Sequence, residues 1–192
     1  MEKQKKKKVD RRVQYTKMVL RQSFIDLLEK YPISKITIKS ICEKADINRT
    51  TFYAHYADQY DLLNQIKQEL IDDVHVYLAN FTFHDNKSES VQLLNKIFEY
   101  IKENSKICSV LLNDTTDAAF YGQIMAIVQN LCMEQLTKKT FNQNTVDYII
   151  SFAATGSIGL IRKWLDTGMK EPTYTMAEII LKLTNQGLTA FV

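Results

Sequence analysis

The chain has 192 residues, of which 45% are hydrophobic, so it is long enough to bury one or two cores. No apolar run reaches the roughly 18 to 20 residues that cross a membrane, and the charged N-terminus lacks the hydrophobic segment of a signal peptide. Its net charge is +3, and its three cysteines are far apart and never form a CxxC pair. The sequence therefore favours a soluble protein of a reducing cytoplasm and argues against a membrane protein, a disulfide framework or a zinc site.

The charge is unevenly distributed along the chain. Residues 1–60 carry 14 Lys and Arg against 7 Asp and Glu, whereas residues 61–192 carry 11 against 15. A basic N-terminal part on an acidic body is typical of a nucleic-acid-binding protein with a separate second function. We expect residues 1–11, MEKQKKKKVDR, to form a disordered basic arm. The arm either lies along DNA phosphates or is a solubilising tail.

Five glycines and two prolines leave few helix breakers, so we expect an all-α protein of about nine helices. The first helix follows the arm and ends at Pro32, with Leu20, Phe24 and Leu28 in one apolar stripe. It supplies a third wall for the two short helices that come next, because two short helices cannot bury their own apolar faces.

Residues 37–56, TIKSICEKADINRTTFYAHY, predict two short helices joined by a tight turn. Thr37 is a good N-cap of the first helix. Asp46 tolerates the left-handed conformation that ends that helix, and Asn48 can cap the second. The stretch is therefore either a DNA-reading helix-turn-helix or an ordinary helix hairpin with a solvated face.

The second of these helices has two different faces. Phe52 and Tyr56 are four residues apart and face inward, while Arg49, Thr50 and Tyr53 face outward. Guanidinium, hydroxyl and phenol groups suit base edges and phosphates better than a core. The residues that we predict to contact DNA are Thr37, Lys39, Asn48, Arg49, Thr50, Thr51, Tyr53 and His55.

This stretch resembles the DNA-binding domain of TetR/AcrR-family transcriptional regulators, whose signature runs approximately T-x-x-x-I-x-x-x-A-G-(V/I)-S-x-x-T-(F/L)-Y-x-H-F-x-x-K-x-x-L. The matching residues are Thr37, Ile41, Ala45, Ile47, Thr51, Phe52, Tyr53, His55 and Leu62, with Tyr56 in place of the usual Phe. Asp46 and Asn48 replace the usual Gly and Ser or Thr, and both keep the turn and cap chemistry. Gln59 replaces the usual Lys, so it lacks a cation that the family places near a phosphate.

The resemblance implies two domains, a helix-turn-helix DNA-binding domain over residues 12–57 and a helical regulatory and dimerisation domain over residues 58–192. A helix over residues 58–80 connects them. A polar break covers residues 84–90, and the further helices are predicted at 91–104, 107–112, 118–136 and 146–165. A last helix begins at Thr175, because Thr175 and Glu178 form a capping box.

Small residues interrupt the apolar helix near residue 156, and small residues let another helix approach closely. They either pack internally or lie in a dimer interface, since helix-turn-helix proteins usually read two half-sites with two-fold symmetry. The resemblance implies that the last two helices of each subunit form a four-helix dimer interface. The predicted interface residues are Phe152, Ala153, Gly156, Ser157, Leu160, Trp164, Ile179, Ile180 and Leu183.

The resemblance also implies an effector cavity between the middle helices of the body. Such cavities are mostly apolar with a few placed polar groups. The candidate wall residues are Phe98, Tyr121, Met125, Tyr148 and Phe152, although for any one of them alone ordinary core is the better interpretation. His75 and His84 are not at metal-ligand spacing. We expect no metal, no cofactor and no enzymatic activity, since the sequence has no phosphate-binding glycine loop, HExxH or GxSxG motif.

The sequence thus predicts a homodimeric, sequence-specific regulator of transcription that binds a palindromic operator as a repressor and is released by a small-molecule effector. The alternative is a TetR-like adaptor or co-activator whose body binds a protein partner. Weak similarity of residues 159–172 to a Gram-positive subgroup that includes dihydroxyacetone-kinase-linked regulators leaves this alternative open. A body without an internal cavity, but with an exposed apolar patch, would favour it.

Overall fold

The computed structural model describes residues 11–79, 87–114, 117–136 and 143–187. Within these ranges it contains nine α-helices, one short 3₁₀ helix and no strand, which confirms the all-α prediction. The helices are α1 (Arg11–Leu28), α2 (Ile38–Ala45), α3 (Arg49–Tyr53), α4 (Gln59–Ala79), α5 (Lys87–Glu103), α6 (Ser105–Asn113), α7 (Ala118–Leu136), α8 (Gln143–Asp166) and α9 (Thr173–Gln186), with the 3₁₀ helix Ile33–Lys35 between α1 and α2. Residues 1–10 of the predicted arm lie outside the described residues.

The chain divides into two compact units that part between Gln68 and Glu69, within α4. The predicted domain boundary after residue 57 stays a prediction. No helix of the described ranges is long and apolar enough to cross a membrane.

The N-terminal unit is built around the stripe of α1. Leu20 and Phe24 are fully buried, as their spacing predicts, and they share the core with Ile41 of α2 and Phe52 of α3. An ion pair of 3.4 Å between Lys44 Nζ of α2 and the Asp26 carboxylate of α1 joins the same two helices at the surface. The unit therefore gives α2 and α3 a rigid support.

The C-terminal unit packs α5 against α9, and α8 against α6, α7 and α9. Trp164 of α8 is buried beside Phe98 of α5, with the two rings edge to face at 5.2 Å. The Trp164 indole N–H also donates to the carbonyl of Glu171, 2.9 Å away, in the segment between α8 and α9. Gly168, at φ 79°, lies in the turn that ends α8. Trp164 thus connects α5 and α8 to the segment that follows α8.

Four predicted helix starts are wrong. Helix α6 begins at Ser105 instead of residue 107, and α8 begins at Gln143 instead of residue 146. The last helix begins at Thr173, preceded by Pro172 as its cap residue, and no side-chain cap is present. Pro172 has the extended backbone of a cap residue, and its carbonyl accepts the Met176 N–H at 3.1 Å, so the helix forms two residues before the predicted box. The predicted polar break also ends early, because residues 87–90 belong to α5.

Candidate nucleic-acid interface

The start of α2 is fixed by a reciprocal pair of hydrogen bonds. The Thr37 hydroxyl accepts the Ser40 N–H, and the Ser40 hydroxyl accepts the Thr37 N–H, both at 3.1 Å. This capping box satisfies two of the donors that a helix start leaves free. The sequence correctly predicted Thr37 as the cap but missed Ser40, because a serine at this position is a less familiar partner than Glu or Gln.

The turn between α2 and α3 depends on Asp46. Its φ of 53° and ψ of 44° are the left-handed conformation predicted for it, and Ile47 N–H donates to the Cys42 carbonyl at 3.0 Å. Asn48 then caps α3, since its side-chain oxygen accepts the Thr50 N–H at 2.9 Å. The turn therefore sets the direction in which α3 leaves α2.

One ring anchors α3 in the core. Phe52 is 0% exposed, and its centroid lies 5.5 Å from that of Tyr56 and 5.8 Å from that of Tyr53. Lys17 of α1 places its ammonium 5.9 Å from the centre of the Tyr56 ring. The inward positions of Phe52 and Tyr56 are confirmed, and they determine which side of α3 is left outside.

The opposite side of α3 is exposed and polar. Arg49, Thr50 and Tyr53 are all exposed, Tyr53 at 58%. Of the other predicted contacts, Thr37, Lys39 and Asn48 are exposed, and Thr51 and His55 are half-buried. Lys39 also lies 3.7 Å from Glu43 in an exposed pair, which contributes little to stability. The face thus offers a guanidinium, hydroxyls and a phenol within one short helix.

Cys42 lies under this surface. Burial raises the pKa of the Cys42 thiol, and the positive charge of Arg49 offsets part of that rise. The thiol therefore stays protonated at neutral pH and behaves as a small buried hydrophobe, as predicted.

Helix α4 begins with a second set of caps. One Asp58 oxygen accepts the N–H groups of Tyr60 and Asp61 at 2.8 Å, and the Asp61 carboxylate accepts the Ala57 N–H at 2.9 Å. Gln59, which replaces the family's usual lysine, is half-buried. Tyr60 is exposed in the first turn of α4, and it was not among the residues predicted from the sequence.

The C-terminal unit contains an apolar cavity of about 150 Å³. Its described lining is Leu70, Val74, Leu94, Ile97, Phe98, Tyr100, Ile101, Cys108, Leu111, Leu112, Phe120, Ile124, Ile127, Val128, Leu131, Ser157, Ile158, Ile161, Ile180, Leu181 and Thr184. Of the predicted wall residues, Phe98 belongs to this lining. The polar lining residues Tyr100, Ser157 and Thr184 were not predicted as wall residues.

The other predicted wall residues lie elsewhere. Tyr121 and Met125 are half-buried next to the core, and the Tyr121 ring centre lies 5.5 Å from the guanidinium carbon of Arg162. Tyr148 and Phe152 are 79% and 80% exposed on α8. Their positions follow from helical periodicity, because α8 turns Ala154 and Ile158 inward and leaves these two aromatic residues on the other side.

The predicted dimer residues fall into three groups by exposure. Phe152 and Gly156 are exposed, whereas Leu160, Ile179 and Leu183 are half-buried. Ala153, Ser157, Trp164 and Ile180 are already buried within one chain, and two of these, Ser157 and Ile180, line the cavity. In the described ranges no cluster of three or more His, Cys, Asp or Glu could hold a metal ion.

Comparison with known proteins finds similarity to transcriptional regulators. Residues 88–186 match the TetR_C_8 family, described as a transcriptional regulator C-terminal region. An uncharacterized HTH-type transcriptional regulator of Bacillus subtilis (strain 168), YxbF, is 28% identical in an alignment 186 residues long that covers 94% of this chain and 47% of that protein. The chain therefore spans about half the length of the curated relative that it matches.

Two solved structures illustrate the likeness of fold. A TetR transcriptional regulator from Streptococcus agalactiae 2603V is 23% identical, with a TM-score of 0.64 over 91% of this chain and 96% of that one. The regulator FadR of Bacillus subtilis, solved in complex with stearoyl-CoA, is 13% identical, with a TM-score of 0.66 over 89% of this chain and 98% of that one. At these identities the likeness shows the fold alone.

The left-handed Asp46 gives a direct test of the turn. We expect Asp46→Gly to raise the free energy of unfolding by about 0.5 to 1 kcal/mol, because glycine adopts a positive φ without steric cost. Asp46→Ala should lower it by about 1 kcal/mol, since alanine adopts this conformation poorly. Urea unfolding followed by circular dichroism measures both changes. Equal stability of the two variants would contradict this account of the turn.

Proposed function

Because the chain belongs to the TetR family of transcriptional regulators, we propose that it acts as a homodimeric repressor that binds a palindromic operator and is released from it by a small molecule. The observation that carries the proposal is the exposed polar face of α3, held outward by the buried ring of Phe52. In this proposal α3 enters the major groove of DNA.

Arg49, Thr50 and Tyr53 are the proposed reading residues. A guanidinium chelates guanine, a threonine offers a hydroxyl and a methyl group, and a phenol reaches a phosphate. Their carrier helix has five residues, so its position depends on the cap at Asn48 and the anchor at Phe52. Such a rigid support favours base recognition, which requires side chains to be placed within a few tenths of an ångström.

The outer side of α8 supports the proposed dimer. Tyr148 and Phe152 are strongly exposed, and Gly156 and Gly159 continue the same helical stripe. A Cβ atom built on either glycine meets nothing within 4 Å, so a second helix can approach this stripe closely. We propose this stripe, together with the half-buried Ile179 and Leu183 of α9, as the dimer face. Two-fold symmetry through α8 and α9 would pair two copies of α3 on one palindrome.

The cavity favours a small-molecule effector over the protein-binding alternative. An apolar space inside the body, with three hydroxyl-bearing residues in its lining, has the character of a ligand site. A ligand that prefers one conformation of the body would shift the population toward it and weaken operator binding by its differential affinity. Such a shift would change the distance between the two copies of α3 in the dimer.

We expect Arg49→Ala to reduce operator affinity by about tenfold to a hundredfold, because loss of a bidentate base contact costs about 1 to 3 kcal/mol. Tyr53→Phe, which removes the hydroxyl alone, should reduce it by about threefold to tenfold. Fluorescence anisotropy with a labelled operator duplex measures both. Lys102→Ala, an exposed cation of α5, is the matched control and should bind like the unchanged protein. Unaltered binding by both α3 variants would remove α3 from the interface.

We expect Phe152→Asp to convert the dimer into a monomer, because a charge buried at the centre of an apolar interface lacks a partner. Light scattering at micromolar concentration should give the mass of one chain, with an unchanged circular dichroism spectrum. Met133→Asp replaces an exposed apolar residue of α7 and should stay dimeric. A monomeric unchanged protein, or a dimeric Phe152→Asp variant, would refute the proposed face.

A further inference from the structure

We propose that the cavity of the C-terminal unit binds a small, uncharged and largely apolar molecule that carries a single hydrogen-bonding group. The inference rests on the proposed effector role for its regulatory meaning, but ligand binding itself is measured without DNA. Three properties of the cavity support this proposal: the charge of its described lining residues, its volume and the positions of its hydroxyl groups.

None of the described lining residues is charged. A carboxylate or ammonium group inside this cavity would lose its water shell without gaining an ionic partner, and that loss strongly disfavours binding. Arg162 is the candidate for an ionic partner of an anionic ligand, because its Nε and Nη2 atoms are buried without a hydrogen-bond partner in the described part of the chain. However, Arg162 lies against the Tyr121 ring, and neither residue belongs to the lining. The cavity therefore favours a neutral ligand.

The cavity holds about 150 Å³. In another protein, an engineered apolar cavity of about 150 Å³ stays dry and binds benzene. By that measure a ligand of about six to ten non-hydrogen atoms fits. The stearoyl-CoA bound to the Bacillus subtilis FadR is a far larger and charged molecule, so the fold that the two chains share does not imply a shared ligand.

Two of the three lining hydroxyls already have partners. Tyr100 donates to the Asp73 carboxylate at 2.8 Å, and Thr184 donates to the Ile180 carbonyl at 2.8 Å. Ser157, 7% exposed on the otherwise apolar inner side of α8, is the third. A buried hydroxyl is costly unless it is hydrogen-bonded, so a ligand with one polar group gains most by meeting Ser157.

Isothermal titration of the full chain with three probes on one ring skeleton tests the proposal. Ethylbenzene and 2-phenylethanol should bind with dissociation constants below about 1 mM, and phenylacetate should bind at least about 30-fold more weakly. Equal or tighter binding of phenylacetate, or no binding of either neutral probe, would overturn the proposal. This comparison uses the unchanged protein, so it does not depend on the folding of any variant.

Substitutions then locate the bound molecule. Val128→Phe fills the cavity from α7 and should weaken both neutral probes by at least about tenfold. Met133→Phe adds a ring to the same helix outside the lining and should leave binding unchanged. Ser157→Ala should weaken 2-phenylethanol by about fivefold but not ethylbenzene. If circular dichroism shows that Val128→Phe is unfolded, Ile161→Phe is used in its place. Undiminished binding of the neutral probes by the folded cavity-filling variant would overturn the proposed location of the ligand.

Operator binding, measured by anisotropy with each probe present, separates this proposal from the effector role. If the neutral probes bind the chain but leave operator affinity unchanged, the ligand class stands and the effector role of such ligands fails. If phenylacetate alone releases the operator, an effector role stands and the proposed ligand class fails.

Discussion

The burial of Phe52 is the constraint on which the exposed polar face of α3 depends. A helix of five residues is too short to be stable alone, so α3 exists because its ends and one side are held by the rest of the unit. The left-handed Asp46 directs the chain out of α2, Asn48 caps the new helix, and Phe52 packs its inner side. Because these three residues fix the orientation of α3, the side chains of Arg49 and Tyr53 lie on its exposed side. The polar face is therefore a consequence of packing.

A similar division governs α8 in the C-terminal unit. Its inner side carries Ala154, Ser157 and Ile158 into the core and cavity, and its outer side exposes Tyr148 and Phe152. One helix thus serves the two proposed roles of the unit, ligand binding and self-association, on opposite sides. Movement of α8 around a ligand would change the proposed dimer face as well.

The sequence predicted the N-terminal unit in more detail than the body. Thr37, Asp46 and Asn48 have side chains whose local chemistry decides the backbone, and Phe52 is a lone large apolar residue among polar neighbours. In α7 and α8, by contrast, apolar residues occur on several sides, so sequence spacing leaves the inward side undefined. For that reason Tyr148 was predicted to line a cavity that it does not line. Ser157 was predicted to lie in the dimer interface, but it is buried and lines the cavity. The start of α9 was misplaced because its cap residue is Pro172, which makes no side-chain cap, and Thr175 already lies inside the helix.

The central claim is that two copies of α3 read one DNA site together. Selection of duplexes from a random-sequence pool by the purified chain, followed by sequencing of the bound fraction, tests this most directly. The account predicts an enriched inverted repeat whose half-sites are about one helical turn, or a multiple of it, apart. Recovery of a single unrepeated half-site would contradict the paired reading helices, and recovery of no enriched sequence would contradict sequence recognition by α3.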